Sequence, residues 1–363
     1  MTPPLAKCTD RLVFDQDGLN TAAALRQTAA NFLTPTDQFF TRSHAPVPAV
    51  DAATWRLDVS GLVGKRLRLS LDDLESRLPR RELAATLVCA GLRRNEFLAL
   101  GPLPGELPWG AEPASTGRWA GVSLRDLIAL AGIADGARHV ALTGLDTVVR
   151  HGRQFGFGGS IPIEKAMSPE VLLAFELNGE PLRPENGFPV RLVVPGWVGA
   201  RSVKWLAEIV LQREPSTNYF QTKAYRVERT PNPHEPRDVS GGEALGELTI
   251  NAAILTPEPG AQLAAGKVRL AGWAIGNHAR LITRVDVSTN GGAVWKQATV
   301  ALQSDRWTWA FWQAEVTLEP GRHLLTVRAW DDSGACQPAD LAQVWNVKGY
   351  LNNAWHRVPV EAR

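Results

Sequence analysis

Between residues 248 and 330 the chain repeats one pattern: short runs rich in β-branched and aromatic residues, at 248–254, 267–272, 282–288, 295–301, 311–318 and 323–330. Turn signals such as Asn290-Gly-Gly292 and Glu319-Pro-Gly321 separate them. Strands this short at this regular spacing cannot each build a core; they must share one, and an antiparallel β-sandwich is the architecture that lets them. Residues 231–242, rich in Pro, His, Asp and Gly and poor in apolar side chains, read as a linker ahead of that unit. With 363 residues the chain is long enough for a core on each side. We expect one domain over 1–242 and a second over 243–363. Eight of the 13 tryptophans fall after residue 243, a load that predicts an interface.

The first part reads as mixed α and β, making the fold class α+β. The patterning predicts helices over 22–33, over 69–78 with Ser70 as N-cap, and over 124–131 behind Ser123. It predicts strands over 55–63, 83–88, 139–142, 171–177, 188–194 and 207–212. A net charge of +2 is too small for nucleic acid or an anionic membrane to be the main partner, so any anion specificity has to be local. No apolar run is long enough to span a bilayer, and the start, Met1-Thr-Pro-Pro-Leu-Ala-Lys7, has neither a twin arginine nor an apolar signal core. The expectation is a soluble cytoplasmic chain, periplasmic if a signal peptide was removed. Cys8, Cys89 and Cys336 are odd in number, far apart and outside any CxxC or CxxCH arrangement, which points to reduced thiols without covalent haem.

Chemistry concentrates in Thr86-Leu-Val-Cys-Ala-Gly-Leu-Arg-Arg-Asn95. The apolar run ending at Gly91 reads as a buried strand leading into a turn, with Cys89 at the strand end. Arg93 and Arg94 would place the thiol in positive potential, favouring the thiolate that attacks electrophiles or binds soft metals. The plainer reading is a buried cysteine acting as a small hydrophobe. A second stretch, Pro195-Gly-Trp-Val-Gly-Ala-Arg-Ser-Val-Lys-Trp205, combines glycines, cations and turn amides, which suits an anion-binding loop or an ordinary basic turn. Residues 148–159 are glycine-rich and basic but do not keep the spacing of a dinucleotide fingerprint.

Several pieces, in order over nearly the whole chain, resemble the sulfite oxidase family of molybdenum enzymes, which also includes the assimilatory nitrate reductases. They are Phe39-Phe-Thr-Arg-Ser-His-Ala-Pro-Val-Pro48, Val88-Cys-Ala-Gly-Leu-Arg-Arg94, Gly117-Arg-Trp-Ala-Gly121, Gly144-Leu-Asp146, Gly159-Ser-Ile-Pro162, Asn178-Gly-Glu-Pro-Leu182, Gly187-Phe-Pro-Val-Arg191, Gly199-Ala-Arg-Ser-Val-Lys-Trp205 and Asn353-Ala-Trp-His-Arg357. The resemblance implies a molybdopterin-binding domain followed by an immunoglobulin-like dimerisation domain, in a homodimer that oxidises sulfite to sulfate by oxygen transfer. Cys89 would be the protein ligand of molybdenum. Pterin and phosphate contacts would map to Phe40, Thr41, Arg42, Ser43, His44, Asp146, Asn186, Arg191, Ser202, Val203 and Lys204. The substrate site would use Arg42, Arg94, Trp109 and Tyr225, the last of these leaning toward sulfite rather than nitrate. The chain shows no cytochrome b5-like or flavin segment, so haem and flavin are not expected and a separate acceptor such as a cytochrome would take the electrons.

Three positions depart from the family pattern: Leu92 stands where Asn is usual, Asn186 where His is usual, and Ala310 where animal sulfite oxidases have a further arginine. A missing guanidinium removes a bidentate anion clamp. This leaves reduction of nitrate or another oxyanion, and a cofactor-carrying or interaction protein without turnover, as the alternatives.

Overall fold

Strand pairing in the first half is dominated by two five-stranded sheets facing each other across one core. The computed structural model describes residues 11–228, 238–303 and 305–363. Cys8 and residues 231–237 of the expected linker lie outside the described residues. One sheet runs Gly158–Pro162, His139–Gly144, Leu206–Gln212, Leu57–Gly61 and Leu67–Leu69, with Leu206–Gln212 and Leu57–Gly61 parallel. The other holds Arg80–Val88, Ala114–Ser123, Leu172–Leu177, Glu180–Pro181 and Arg191–Val193. Val59, Leu142, Ile209 and Leu211 of the first sheet meet Val122, Leu173 and Leu192 of the second.

The helix Leu71–Arg77 starts where expected because Ser70 Oγ accepts from Asp73 N (3.1 Å) while the Asp73 carboxylate accepts from Ser70 N (2.9 Å), a reciprocal cap. Leu124–Ala131 also matches, but Ser123 makes no side-chain cap; burial of Leu124, Leu127, Ile128 and Ala131 holds that helix. The helix expected over 22–33 is only Leu25–Ala30. Thr21–Ala23 is instead drawn into a strand beside Arg11–Val13, and Thr21 also exchanges backbone hydrogen bonds with Thr41.

The second half is a sandwich of four strands (Asn251–Thr256, Gly266–Ile275, Ala310–Leu318, Thr299–Val300) on five (Gln262–Leu263, His356–Ala362, Gly321–Asp331, Ile282–Ser288, Lys296–Gln297). The sandwich also holds His356–Ala362, beyond the six runs of the repeating pattern; its central Pro359 sits exposed, opposite Leu324. Four of the eight tryptophans after residue 243, Trp273, Trp307, Trp309 and Trp345, pack at the seam with the first half, while Trp295, Trp330 and Trp355 gather around Arg328 within the sandwich. Trp273 and Trp309 are fully buried and stacked 6.5 Å apart, and Trp309 donates from its backbone to Thr86 Oγ1 (2.9 Å) and from Nε1 to Phe32 O (3.0 Å). The segment before the last strand crosses back: Leu351 N donates to Ala90 O (2.8 Å), and Val344 and Trp345 pack on Phe97 and Leu103. No helix among the described residues is long and apolar enough to cross a membrane.

Candidate active site

Strand Arg80–Val88 ends by handing Cys89 to a turn, where its backbone N–H donates to Pro113 O (2.9 Å) and its carbonyl accepts from Leu92 N (3.0 Å). The thiol opens onto a cleft with an empty volume of about 700 Å³. The structure brings to this cleft Phe40, Thr41, Arg42, Ser43, His44, Cys89, Asp146, Arg191, Ser202, Lys204 and Tyr225, residues from six separate stretches of sequence.

One end of the cleft carries positive charge with no carboxylate bound to it. Arg191 is buried and donates only to carbonyls, those of Asn186 (2.9 Å), Ser202 (3.0 Å) and Leu192 (3.4 Å). Burial lowers its pKa to about 9. Lys204 Nζ donates to Ser43 Oγ (2.7 Å) and Glu185 O (3.0 Å), and its pKa is lowered to about 7, first by burial and then by the Arg191 charge. Two cations held against neutral acceptors make a candidate anion site. Asp146 adds a carboxyl to the same cleft, within electrostatic reach of Lys204: its Oδ1 accepts from Phe157 N (2.9 Å), and burial raises its pKa.

Lys204 gives the cleft a pH dependence whose sign follows from its depressed pKa. In cofactor-free protein below about pH 7 the ammonium is already charged; above it the amine is neutral and must take up a proton to meet a phosphate. Affinity of the cofactor-free full chain for inorganic phosphate is therefore expected to fall as pH rises from 7 to 9, by up to roughly tenfold per unit. Calorimetric titration in buffers of different ionisation enthalpy reads both the affinity and the proton taken up; a flat profile would remove Lys204 from the anion site.

Tyr225 forms the other functional corner. Its hydroxyl lies 2.8 Å from His44 Nε2, and Arg42 Nη2 lies 3.4 Å from His44 Nδ1. A guanidinium only donates, so Nδ1 accepts, Nε2 carries the proton and donates to the Tyr225 oxygen, and the phenolic proton is left to point elsewhere. Burial, then the charges of Arg42, Arg150 and Lys204, hold the His44 pKa well below its ordinary value, so the ring stays neutral. The Tyr225 pKa is pushed up to about 12, chiefly by burial, so the phenol remains a donor. Its backbone adopts φ 51°, a left-handed conformation costly for a bulky residue. Leu245 N, donating to Tyr225 O (2.8 Å), and Tyr350, stacked 5.5 Å behind the ring, hold it there.

Four nominated residues do not line the cleft. Arg94 sits behind it, paired with Glu106 (3.3 Å) and lying over the Tyr350 ring (5.1 Å), so it braces the tyrosine pair. Trp109 is fully buried against Phe14, ring to ring at 4.1 Å. Val203 belongs to the apolar core, and Asn186 is buried beside the cleft with its Oδ1 unpartnered. Both arginines of the Cys89 turn are ion-paired, Arg93 with Glu96 and Arg94 with Glu106, so their charge is largely spent on carboxylates. Ala310 packs in the sandwich core, away from the cleft. Asn20, outside the site residues expected from sequence, fixes the Arg42 loop by accepting at Oδ1 from Arg42 (3.1 Å) and Ser43 N (3.0 Å).

Residues 44–220 match the family model described as the oxidoreductase molybdopterin binding domain, and residues 243–363 match the Mo-co oxidoreductase dimerisation domain. Sulfite oxidase of Gallus gallus is 41% identical over 355 residues, covering 95% of this chain and 76% of that protein. The chain belongs to the sulfite oxidase family. Among other members, mitochondrial sulfite oxidase of Homo sapiens is 41% identical over 91% of this chain and 62% of its own length. The nitrate reductase [NADH] 1 of Oryza sativa subsp. japonica is 35% identical over 91% of this chain and 38% of its own length. Against this chain, therefore, the human and rice proteins carry substantial additional length. The solved sulfane dehydrogenase SoxCD of Paracoccus pantotrophus superposes with a TM-score of 0.82 at 26% identity, covering 97% of this chain and 88% of that one.

The residues present fit the family's cofactor. Among the described residues no group of three or more His, Cys, Asp or Glu is arranged to hold a metal ion. Cys89 alone therefore suits a metal that arrives with ligands of its own, as one carried by a pterin dithiolene does. Arg191 and Lys204 suit the pterin's phosphate, and Asp146 suits its amino-pyrimidine edge. The protein is an oxidoreductase of this family.

Proposed function

We propose that the chain oxidises sulfite to sulfate, with Cys89 as the protein ligand of molybdenum and the two electrons passed to a separate acceptor. The observation that carries this reading is a hydroxyl, that of Tyr225, fixed by a neutral His44 on the wall of the same cleft as the Cys89 thiol and Arg42. When bound, the molybdenum cofactor supplies the redox change and the oxygen-atom transfer. Arg42 attracts and orients the sulfite dianion. Tyr225, neutral at working pH, donates to an oxygen of the bound anion, and His44 keeps that proton aimed by donating to the phenol oxygen. Arg94, Glu106 and Tyr350 keep the phenol in place from behind. Sulfite and water go to sulfate with release of two protons and two electrons, which balances the change at the acceptor. A homodimer assembled through residues 243–363 completes the reading, on the strength of the dimerisation domain matched there.

Steady-state assays of the purified protein with sulfite plus ferricyanide, and with nitrate plus reduced viologen, separate this function from the reverse chemistry. Turnover of nitrate alone would sink it. Tyr225→Phe keeps the ring and its stack on Tyr350 but removes the donor; kcat/KM for sulfite is expected to fall roughly 10²-fold, the usual effect of losing one donor to a reacting oxyanion. Unchanged kinetics in that variant would leave the phenol without a role.

A further inference from the structure

The short turn Pro184–Asn186 borders the cleft and is pinned by three side chains acting on three consecutive carbonyls. Trp205 Nε1 donates to Pro184 O (2.6 Å), Lys204 Nζ to Glu185 O (3.0 Å) and Arg191 to Asn186 O (2.9 Å). The turn is therefore rigid, and rigidity in a wall is useful when that wall presents something. Here it presents two orphans: Glu185 Oε2 and Asn186 Oδ1 are both buried acceptors with no donor in reach. Glu185 lines the cleft itself, while its backbone holds Lys204. A buried carboxylate oxygen without a donor is destabilising, and a protein keeps one where a ligand brings the missing N–H.

Charge decides which ligand group this is. The phosphate cannot be the partner, since a carboxylate repels it and Arg191 and Lys204 already face it as cations. Nor can an anionic substrate. The donors that remain are the exocyclic amine and ring N–H of the pterin's amino-pyrimidine, adjacent and coplanar, which a carboxylate accepts in pairs. Asp146 already spends one oxygen on Phe157 N.

We infer that Glu185 is a pterin-binding residue, accepting from the amino-pyrimidine edge, and that it takes over the hold on that edge at a turn where position 186 carries Asn. The inference rests on the molybdopterin-dependent function proposed above. Its chemistry is direct recognition: Glu185 touches the cofactor and takes no part in turnover.

The test uses full-length protein loaded in a host that makes the cofactor, comparing the parent with Glu185→Ala and Glu185→Gln. Pterin released with time is followed by fluorescence of its oxidised form after gel filtration, molybdenum by elemental analysis, and the melting temperature is taken for loaded and cofactor-free protein. Glu185→Ala is expected to release pterin roughly tenfold faster or more, the loss of one charge-assisted hydrogen bond, with Glu185→Gln between it and the parent. The cofactor-free variants are expected to melt at or above the parent temperature, because the orphan carboxylate is gone. Release from Glu185→Ala at the parent rate, or an equal loss of melting temperature with and without cofactor, would overturn the assignment while leaving the enzyme reading intact. A parent protein that carries no pterin would overturn both.

Discussion

A Cys89→Ser chain is expected to fold and melt as the parent does and to show no sulfite-dependent reduction of ferricyanide above background. The thiol makes no hydrogen bond that the fold depends on, and serine is close in volume, so the change in stability stays within about 1 kcal/mol. Chemically the two side chains differ sharply. A thiolate is accessible near neutral pH and is a soft donor; a serine hydroxyl is neither. Thermal melting and near-ultraviolet circular dichroism report the fold, elemental analysis the metal, and the ferricyanide assay the turnover. Retained activity would take Cys89 off the metal.

Arg93→Gln is expected to act on stability more than on chemistry. Arg93 is fully buried in the left-handed conformation (φ 59°), forks onto Glu96 (2.6 and 2.8 Å), and reaches into the sandwich to donate to Asn251 Oδ1 (2.8 Å). Asn352 donates to Arg93 O (2.9 Å) and to Glu96 Oε2 (3.1 Å), and His356 stands 3.7 Å from Glu96. Removing Arg93 leaves Glu96, a half-buried carboxylate, with only Asn352 Nδ2 and a neutral His356 beside it, a loss toward the lower end of roughly 3–5 kcal/mol. Denaturant unfolding of Arg93→Gln, Glu96→Gln and the double variant measures this: the double variant is expected to be less destabilised than the sum of the singles. Strict additivity would mean that the two side chains are not coupled.

Legibility from sequence followed the range of the interactions involved. Leu71–Arg77 and Leu124–Ala131 stood out because capping and helical periodicity are written within ten residues. Cys89 and the Phe40–His44 loop were found through motifs. Arg94 carries a motif, but the motif does not tell that its side chain pairs with Glu106 and lies over Tyr350 rather than lining the cleft, since Tyr350 is far along the chain. Asn20 and Glu185 carried no local signal at all: an isolated Asn or Glu in a loop is ordinary until folding sets it against Arg42 or along the cleft wall. The strand His356–Ala362 carries a central Pro359, tolerated because the edge strand beside it, Gln262–Leu263, pairs only with Glu361 and Ala362 and not with residue 359.

The contact of Tyr350 with Tyr225 also carries an order of assembly. Cys89, Lys204 and Tyr225 leave the ribosome long before Tyr350, and the rear of the cleft closes only when the segment carrying Tyr350 and Leu351 has returned to Ala90. Such closure over a long stretch of chain is slow compared with local folding. The strained Tyr225 backbone therefore has no support from behind until that segment docks. A competent reaction corner thus exists only after the returning segment has docked.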